Sequence, residues 1–370
     1  MGIKDLKTLI KKHSPNSISS KELKNYAGEV IAIDTSIYFY KFLSYGNHLS
    51  GFVRQILLLL ENDIIPLYIF DGKPPDEKND ILKERKDKKL QLQAKKDELE
   101  KQLAEADDSF EIKNIKQKLF LLSKELIIDT PEHITSAKKL FELFGVPYLD
   151  ADGEAEILCA KLCQQKYVYA CLSEDSDLLA NGATLFLHNF KVNQNFIIEY
   201  NLKKILEDMK ITMEQFIDIC ILCGCDYTNK IEGIGKESAY RLIKKLDNIE
   251  NVIQFVKTAS NHSSTKKYII PENFNYLRAR EIFLTPLENL VDKDIINTKL
   301  LPVNINELEE FMKNNCERLS QKYYKMIHKI LLPNKHNNQY KISVKKTIKI
   351  MQTTTIESYF TPIVDDNMVE

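Results

Sequence analysis

Seven acidic residues stand where the chain is predicted to change direction, and together they could bind divalent cations. They are Asp34, Asp71, Glu154, Glu156, Asp175, Asp177 and Asp226. Two unit charges about 4 Å apart repel by roughly 4 kcal/mol at an effective dielectric near 20, so a converging cluster would take up protons or destabilise the fold. Divalent cations would relieve that repulsion. All-oxygen ligation, with water in the remaining positions, fits Mg²⁺ or Mn²⁺.

Two such ions would define the chemistry of the site. When they lie about 3.5 to 4 Å apart, they can clamp the attacking and leaving oxygens of a phosphodiester. Glu154 and Glu156 stand at a predicted helix N-terminus, where anions are tolerated and a bound cation can bridge to the first turn. The alternative is that each acid caps a helix or lies on a solvated loop, and that interpretation is the better one for any single acid.

Three short apolar runs predict the strands that position these acids. The runs 30–33, 67–70 and 167–172 precede Asp34, Asp71 and the pair Asp175 and Asp177, respectively. Apolar runs of this length are typical of strands buried on both faces of a parallel sheet. In open α/β sheets, ligands bind at the carboxyl ends of the strands. We therefore expect the acids to meet at one edge of a sheet.

The alternation of helix and strand patterns predicts an α/β fold with a mixed, mostly parallel central sheet flanked by helices. The predicted segments are two α/β halves at 1–72 and 131–225, a polar helical segment at 73–130, a helical region at 226–332 and a flexible tail at 333–370. The segment 73–130 favours a thin helical hairpin turning near 107–109, and a plain coiled-coil spacer fits its pattern equally well. The apolar runs 184–188 and 196–198 extend the sheet or form a hairpin beside it.

Composition and charge limit the class of protein. A chain of 370 residues with 44% hydrophobic residues can bury a core. Because 52 Lys and Arg face 53 Asp and Glu, the overall charge gives no argument for nucleic acid, and any basic face must be local. The start resembles no signal peptide, and the longest apolar run, Ile56–Leu60, is too short for a bilayer, so we expect a soluble intracellular protein with no membrane partner.

The chain contains seven cysteines, and this odd number suits a reducing compartment better than a disulfide framework. Cys220, Cys223 and Cys225 invite a zinc interpretation. No second ligand pair follows them at zinc-site spacing, and the surrounding residues predict a buried helix. We therefore expect these cysteines to have a structural role.

Seven short motifs in a fixed order carry a resemblance to a known family. They are Met1-Gly2-Ile3, Asp34 after its strand, Phe70-Asp71-Gly72-Lys73-Pro74-Pro75, Gly153-Glu154-Ala155-Glu156, Glu174-Asp175-Ser176-Asp177, Gly224-Cys225-Asp226-Tyr227 and Gly233-Ile234-Gly235. Each alone is weak, but the ordered set is specific. From residue 1 to about 330 the chain resembles the eukaryotic and archaeal flap endonucleases of the 5′ nuclease family. The resemblance implies a PIN-like 5′ nuclease fold, with a helical arch at 73–130 and a helix–two-turn–helix DNA-binding region.

The resemblance also implies an activity. Members of this family cut DNA where a 5′ flap leaves the duplex, by two-metal-ion hydrolysis that leaves a 5′-phosphate, in lagging-strand fragment processing and base excision repair. A 5′-3′ exonuclease side activity accompanies it. All seven acids match the family's metal ligands and are expected to hold two Mg²⁺ ions, with Mn²⁺ as a substitute. The alternatives are a related 5′ nuclease with exonuclease or other junction preference, and a non-catalytic DNA or clamp adaptor.

The resemblance assigns further residues to DNA. Lys78 and Arg85 match the family's gateway cations and, seven apart on a helix, share one face, from which they would hold and polarise the scissile phosphate. Tyr40 matches a tyrosine that stacks on a base near the cut site, and the alternative is a core tyrosine. Glu154 and Asp226 are also expected to lie at the DNA.

The turn from Gly233 to Gly235 matches the element that grips the uncut strand, where backbone N–H groups suit phosphate and Lys236 adds positive charge. Two departures from the family occur nearby. Glu237 stands where the family usually has a basic residue. Lys230 replaces the serine of the family's potassium site, so we expect its ammonium group to take the place of the ion.

The remaining expectations concern partners and location. The loop 44–50 is shorter than in eukaryotic relatives. The resemblance therefore implies cleavage of flaps, but this loop does not support a preference for double flaps. The segment 353–360 resembles a peptide that binds the sliding clamp (PCNA), with Ile356, Tyr359 and Phe360 as apolar anchors and Thr353 in the usual glutamine position. We expect a monomer that binds branched DNA with a 5′ flap. Its location would be the nucleus in a eukaryote, or a cytoplasmic replication site in a large DNA virus.

Overall fold

A single seven-stranded sheet organises the fold. The computed structural model describes residues 2–126, 130–262, 268–316 and 319–331. The strands are β1 (Ile18–Glu22), β2 (Val30–Asp34), β3 (Ile65–Phe70), β4 (Tyr148–Asp150), β5 (Ala170–Leu172), β6 (Leu185–His188) and β7 (Phe196–Asn201). Their order is β1-β7-β6-β5-β2-β3-β4. The strands β6, β5, β2, β3 and β4 are parallel, and β7 runs antiparallel between β6 and β1. The predicted mixed, mostly parallel sheet is confirmed.

Helices cover the sheet and extend beyond it. In the described ranges they are α1 (Leu6–His13), α2 (Thr35–Leu43), α3 (His48–Glu61), α4 (Asn79–Glu105), α5 (Ser109–Glu125), α6 (Pro131–Phe144), α7 (Ala155–Gln164), α8 (Asp177–Ala180), α9 (Leu202–Met209), α10 (Met213–Cys223), α11 (Lys236–Leu246), α12 (Ile249–His262), α13 (Tyr276–Phe283), α14 (Ile305–Asn315) and α15 (Gln321–Leu331). Among the described residues, none of these helices combines the length and the apolar character that a membrane crossing requires.

The central strands are apolar throughout because both of their faces are buried. In β3, Leu67 and Ile69 pack into one hydrophobic core, whereas Tyr68 and Phe70 pack into the core on the other face of the sheet. A strand in this position cannot show the alternation of apolar and polar residues that marks a half-exposed strand. The register pairs β2 with both β5 and β3, so the acids that follow these strands lie at one edge, as predicted.

The polar segment between the two halves forms the predicted helical hairpin. Helices α4 and α5 pack through a small apolar cluster centred on Leu99, Ile115 and Leu122. Asp108 begins α5 by accepting hydrogen bonds from the backbone N–H groups of Phe110 and Glu111, at 3.1 and 2.9 Å. The turn therefore lies at the predicted 107–109. The apolar core between the two helices is therefore small.

One close approach between backbones brings two acid-bearing loops together. The N–H group of Gly72 donates to the carbonyl of Gly153 at 2.7 Å. A Cβ atom on Gly72 would lie 2.0 Å from the carbonyl oxygen of Ala151, so a side chain at this position would force the loops apart. Glycine here therefore keeps Asp71 next to Glu154.

A buried histidine makes stability depend on pH. His48 lies between the rings of Phe39 and His133, with centroids 5.5 and 4.7 Å away, and its Nε2 lies 3.0 Å from the hydroxyl of Ser136. Burial, and then the neighbouring His133, lower the pKa of His48 to about 4. Below its ordinary pKa near 6.5 the unfolded chain binds a proton that the folded chain excludes, so stability falls as pH decreases from 6.5 towards 4.

We expect the free energy of unfolding to drop between pH 7 and pH 4.5 by an amount that includes on the order of 2 kcal/mol from His48. Denaturant titrations of the wild type and His48→Asn at both pH values measure this contribution. The variant should lose less stability than the wild type over this interval, because all other titrating groups are shared. Equal losses in the two proteins would show that His48 is not held neutral.

Candidate active site

A cleft of about 230 Å³ opens at the carboxyl edge of the sheet. It gathers eight residues that the sequence assigns to chemistry or to DNA: Asp34, Tyr40, Asp71, Lys78, Arg85, Glu154, Glu156 and Asp175. Strands β2 and β3, the loop after β5 and the start of α7 supply the acids, and the base of the helical hairpin supplies the two cations. The cleft is therefore built from both halves of the sheet and from the segment between them.

Asp34 and Asp71 are held by hydrogen bonds at the ends of β2 and β3. The hydroxyl of Ser173 donates to Asp34 Oδ2 at 2.9 Å. Asp71 accepts from the first backbone N–H of α7, that of Ala155, at 2.7 Å, and from the hydroxyl of Ser36. Burial, and then the nearby charge of Asp71, raise the pKa of Asp34 above its ordinary value. These two carboxylates therefore repel each other, with Asp34 buried and Asp71 exposed to solvent.

Tyr227 holds the two glutamates of α7. Its hydroxyl donates to Glu154 Oε2 at 2.7 Å and lies 3.5 Å from Glu156 Oε1. Burial raises the pKa of Glu156 well above its ordinary value, and the charges of Asp175 and Asp177 raise it further. Burial also raises the pKa of Tyr227, which keeps its hydroxyl group a hydrogen-bond donor.

The N-terminal segment fixes Asp177. The backbone N–H of Ile3 donates to Asp177 Oδ1 at 2.5 Å, and the N–H of Asp177 donates to Asp175 Oδ1 at 3.1 Å. A Cβ atom on Gly2 would lie 2.1 Å from Asp175 Oδ1, so only glycine allows this approach. Burial, and then Asp175, raise the pKa of Asp177 well above its ordinary value. Asp177 lies beside the cleft rather than in its lining.

Two cations from the hairpin base face this cluster. Lys78 forms a hydrogen-bonded ion pair with Glu154, and its Nζ lies 3.6 Å from Asp226 Oδ2. Arg85 reaches the same Asp226 oxygen at 2.7 Å. Burial alone would lower the pKa of Lys78, but the charges of Glu154, then Glu156, and the other acids raise it above its ordinary value, so the lysine stays protonated. Asp226 is thus joined to the cleft through both cations.

The acids suit divalent cations by their chemistry. Throughout the described ranges, no three acidic, histidine or cysteine side chains converge on one point as a metal-binding group. The donor set is nevertheless all carboxylate oxygen, and burial and mutual repulsion raise the pKa of Asp34, Glu156 and Asp177. The seven acids outnumber the two cations, Lys78 and Arg85, that form ion pairs within this cluster. The residues present therefore fit oxygen-ligated ions such as Mg²⁺.

Comparison with known proteins identifies the family. Family models match at residues 1–92 (the XPG N-terminal domain) and 145–226 (the XPG I-region). Flap endonuclease 1 of Tetrahymena thermophila is 32% identical over 374 residues, with 94% of each chain covered. Flap endonuclease 1 of Entamoeba histolytica is 38% identical over 305 residues, covering 77% of this chain and 76% of the relative. The chain belongs to the flap endonuclease family.

A solved structure confirms the fold expected of this family. The catalytic core of Rad2 in complex with DNA substrate superposes with a TM-score of 0.67 at 23% identity, covering 90% of this chain and 100% of that core. At this level of identity the match concerns the fold. The 5′ nuclease fold predicted from the motifs is therefore confirmed over most of the chain.

Tyr40, the family's predicted stacking tyrosine, lines the cleft with 38% of its surface exposed. Its neighbour Tyr38, two residues earlier, is fully buried and packs against Phe42 and Phe190. The core tyrosine of α2 is thus Tyr38. Base stacking by Tyr40 stays a prediction, and its position permits it.

The predicted phosphate-binding turn of the family lies outside the cleft lining. Gly235 precedes α11, and a Cβ atom there would meet open space. The Nζ atom of Lys236 lies 3.5 Å from Oδ1 of Asp5. The unexpected acid Glu237 pairs with Lys12 at 3.0 Å and with His13 at 3.1 Å. The acid that departs from the family pattern is therefore paired with two side chains of helix α1. A role for Gly233, Gly235 and Lys236 in binding DNA stays a prediction.

Sequence reasoning missed the residues that orient the acids. Ser36 follows Asp34 by two positions, Ser173 precedes Asp175 by two, and Tyr227 directly follows Asp226. Each is a hydroxyl donor close in sequence to a predicted ligand, and that proximity was the available signal. The predicted clamp-binding residues Ile356, Tyr359 and Phe360 lie outside the described residues.

Proposed function

We propose that this chain is a structure-specific DNA endonuclease that cleaves 5′ flaps where single strand meets duplex. The observation that carries the proposal is the cleft, where acids from β2, β3, α7 and the loop after β5 meet Lys78 and Arg85 from the hairpin base. Anionic ligands that bind divalent ions, next to cations that bind phosphate, are the groups that phosphodiester hydrolysis requires. The flap endonuclease relatives support the same reaction.

Two Mg²⁺ ions are the proposed cofactors, and Mn²⁺ would substitute for them. Their ligands would be Asp34, Asp71, Glu154, Glu156, Asp175, Asp177 and Asp226. When bound, the ions supply an activated water and stabilise the charge that develops on the phosphate. Support comes from the carboxylate donors of the cleft and from the junction-resolving enzyme GEN1, whose structure with product DNA contains Mg²⁺ and Mn²⁺.

The other cleft residues bind and orient the DNA. Lys78 stays protonated beside its carboxylate partners, so it offers a fixed positive charge to the scissile phosphate, and Arg85 offers the fork of its guanidinium group. Tyr40 presents an exposed ring at the mouth of the cleft, where an unpaired base can stack on it. The turn at Gly233 and Gly235 would hold the uncut strand through backbone N–H groups.

The cellular roles proposed for the chain follow from this activity. They are lagging-strand fragment processing and base excision repair, with a 5′-3′ exonuclease side activity. The proposed partners are branched DNA and the sliding clamp (PCNA), the latter through residues 353–360, and the enzyme would act as an intracellular monomer. The flap endonuclease relatives support the cleavage activity from which the replication and repair roles are proposed.

A labelled 5′-flap substrate tests the activity. The protein with Mg²⁺ should cut it at the junction, leave a 5′-phosphate and stop when EDTA is added. A fully paired duplex of the same sequence is the matched control and should stay uncut at internal positions. Tight binding of the flap without any incision would instead favour a non-catalytic adaptor.

The position of Lys230 predicts a weak response to potassium. Its side chain packs against Gly224, with Cδ 3.5 Å from the point where a Cβ atom would lie. If the ammonium group of Lys230 takes the place of the ion, as proposed, flap-DNA affinity should change by less than about two-fold when K⁺ replaces Na⁺ at equal ionic strength. Fluorescence anisotropy measures it, and Lys230→Ser should gain K⁺ dependence. A strong K⁺ dependence of the wild type would contradict the substitution of ion by ammonium.

A further inference from the structure

Helix α13 is tied at its start to the turn that carries Asp226. The hydroxyl of Thr228 donates to the carbonyl of Asn273 at 3.2 Å, and the N–H of Asn275 donates back to that hydroxyl at 2.8 Å. Thr228 lies two residues after Asp226. The N-terminus of α13 therefore moves with one of the proposed metal ligands.

The other end of α13 is tied to α7, which begins next to the glutamates of the cleft. The carbonyl of Phe283 accepts a hydrogen bond from the buried ammonium of Lys161 at 2.8 Å. The ring of Phe283 packs against Tyr227, with centroids 5.2 Å apart. Both ends of the helix are thus attached to parts of the site.

The middle of α13 is anchored in the helical C-terminal region. Arg280 contacts both oxygens of Asp218 on α10, at 2.8 and 2.9 Å, and donates to Glu250 on α12 at 3.0 Å. Asp218 is buried, so this pairing fixes the helix in one position. A group carried by α13 is consequently held rigidly with respect to α10 and α12.

Arg278 links helix α13 to the base of the hairpin. Its Nε donates to Glu77 Oε1 at 2.8 Å. Glu77 belongs to the single turn Asp76–Lys78, which is closed by a hydrogen bond from the N–H of Lys78 to the carbonyl of Pro75 at 3.0 Å. Glu77 Oε2 is buried and has no hydrogen-bond partner among the described residues, so its carboxylate depends on Arg278.

We propose that Arg278 is a positioning residue for cleavage, which acts by holding Glu77 so that the adjacent Lys78 points at Glu154 and Asp226. We call the ion pair between Arg278 and Glu77 the latch. The proposal rests on the proposed function for the role of Lys78 at the phosphate. The latch connects the helical DNA-binding region to the cleft, so the gateway lysine is correctly placed only when α13 is.

The main rival is a direct contact between Arg278 and a DNA phosphate. Arg278 already serves two carboxylates, since its Nη1 also lies 3.2 Å from Glu281 on the same helix. A guanidinium group that is already shared between two carboxylates is poorly available to bind a phosphate. The two roles also predict different partners, because a phosphate contact would not require Glu77.

Single-turnover cleavage and equilibrium binding of the 5′-flap substrate separate these roles in the full chain. Arg278→Ala and Glu77→Gln should each lower the cleavage rate by about ten-fold, with a change in Kd below about two-fold, because a misplaced Lys78 costs orientation rather than binding. The double variant should be no slower than either single variant, since both remove one interaction. Glu281→Gln is the matched control and should keep the wild-type rate. Exchanging the charges, Glu77→Arg with Arg278→Glu, should recover part of it.

Hydrogen exchange of the peptide spanning residues 74–82 gives a readout without cleavage. Both latch variants should exchange faster there than the wild type and Glu281→Gln, at unchanged melting temperature. Weaker DNA binding in Arg278→Ala alone, or unchanged exchange in both variants, would overturn the proposal. If the wild type failed to cut flaps while exchange rose in both variants, the latch would stand as the device that fixes Lys78, and the proposed function would fail.

Discussion

Replacing Asp175 by alanine should slow Mg²⁺-dependent flap cleavage by roughly a thousand-fold while flap-DNA affinity stays within about two-fold of the wild type. Asp175 is buried in the cleft, and its charge contributes to the raised pKa of Asp34, Glu156 and Asp177. Removing it deletes a proposed metal ligand from the centre of the cluster. The turn before α11, which we propose binds DNA, is left intact, and binding should therefore survive.

Asp150→Asn is the matched control for this experiment. Asp150 also stands at the carboxyl end of a strand, β4, but its side chain is 59% exposed and pairs with Lys138 at 2.6 Å. It does not line the cleft, so the variant should cleave at the wild-type rate. A wild-type rate in Asp175→Ala, measured under the same conditions, would mean that the cleft is not the catalytic site.

Lys78→Ala should reduce the single-turnover rate by about a hundred-fold, which is the second largest effect we expect. The lysine is nearly buried between Glu154 and Asp226, and its ammonium group pairs directly with Glu154, a proposed metal ligand. Its loss removes both the proposed phosphate-binding charge and the partner of buried Glu154 and of half-buried Asp226. Lys78→Arg should recover part of the rate, because it restores the charge but not the shape of the group.

Lys73→Ala controls for a general loss of positive charge at the hairpin base. Lys73 is 85% exposed and lies 4.0 Å from Asp76, outside the cleft. Cleavage by this variant should match the wild type. If Lys78→Ala and Lys73→Ala lost equal amounts of activity, or if Lys78→Ala changed only the substrate affinity, Lys78 would act by attracting DNA rather than at the phosphate.

The parts of the fold that could be predicted are those with a local signal. The buried runs of β2 and β3 stand out because both faces pack into cores, and the hairpin stands out by its polar composition. The sequence does not single out β1 and β4. Strand β1, Ile18–Glu22, is a half-exposed edge strand with four polar or charged residues, and β4 is only three residues long. Such strands form because a neighbouring strand offers hydrogen bonds, which local sequence does not reveal.

The candidate site, like the fold, has features that the sequence predicts and features that it does not. Its acids were predictable because each lies near the start or the end of a helix or strand, within a recognisable motif. The contacts that orient them were not, because they join distant positions: the N–H of Ile3 binds Asp177 across 174 residues, and Arg85 reaches Asp226 across 141. Only the folded sheet shows that Lys78 lies against Glu154.

The most direct test of flap-specific cleavage is one gel that compares single-flap, double-flap, nicked and bubble substrates with Mg²⁺, alongside Asp175→Ala. We predict incision of both flap substrates at the junction, slow exonucleolytic shortening at the nick, an intact bubble and no products from the variant. Cleavage of the bubble in preference to the flaps, or flap incision that persists in Asp175→Ala, would contradict the proposal that this cleft cleaves 5′ flaps specifically.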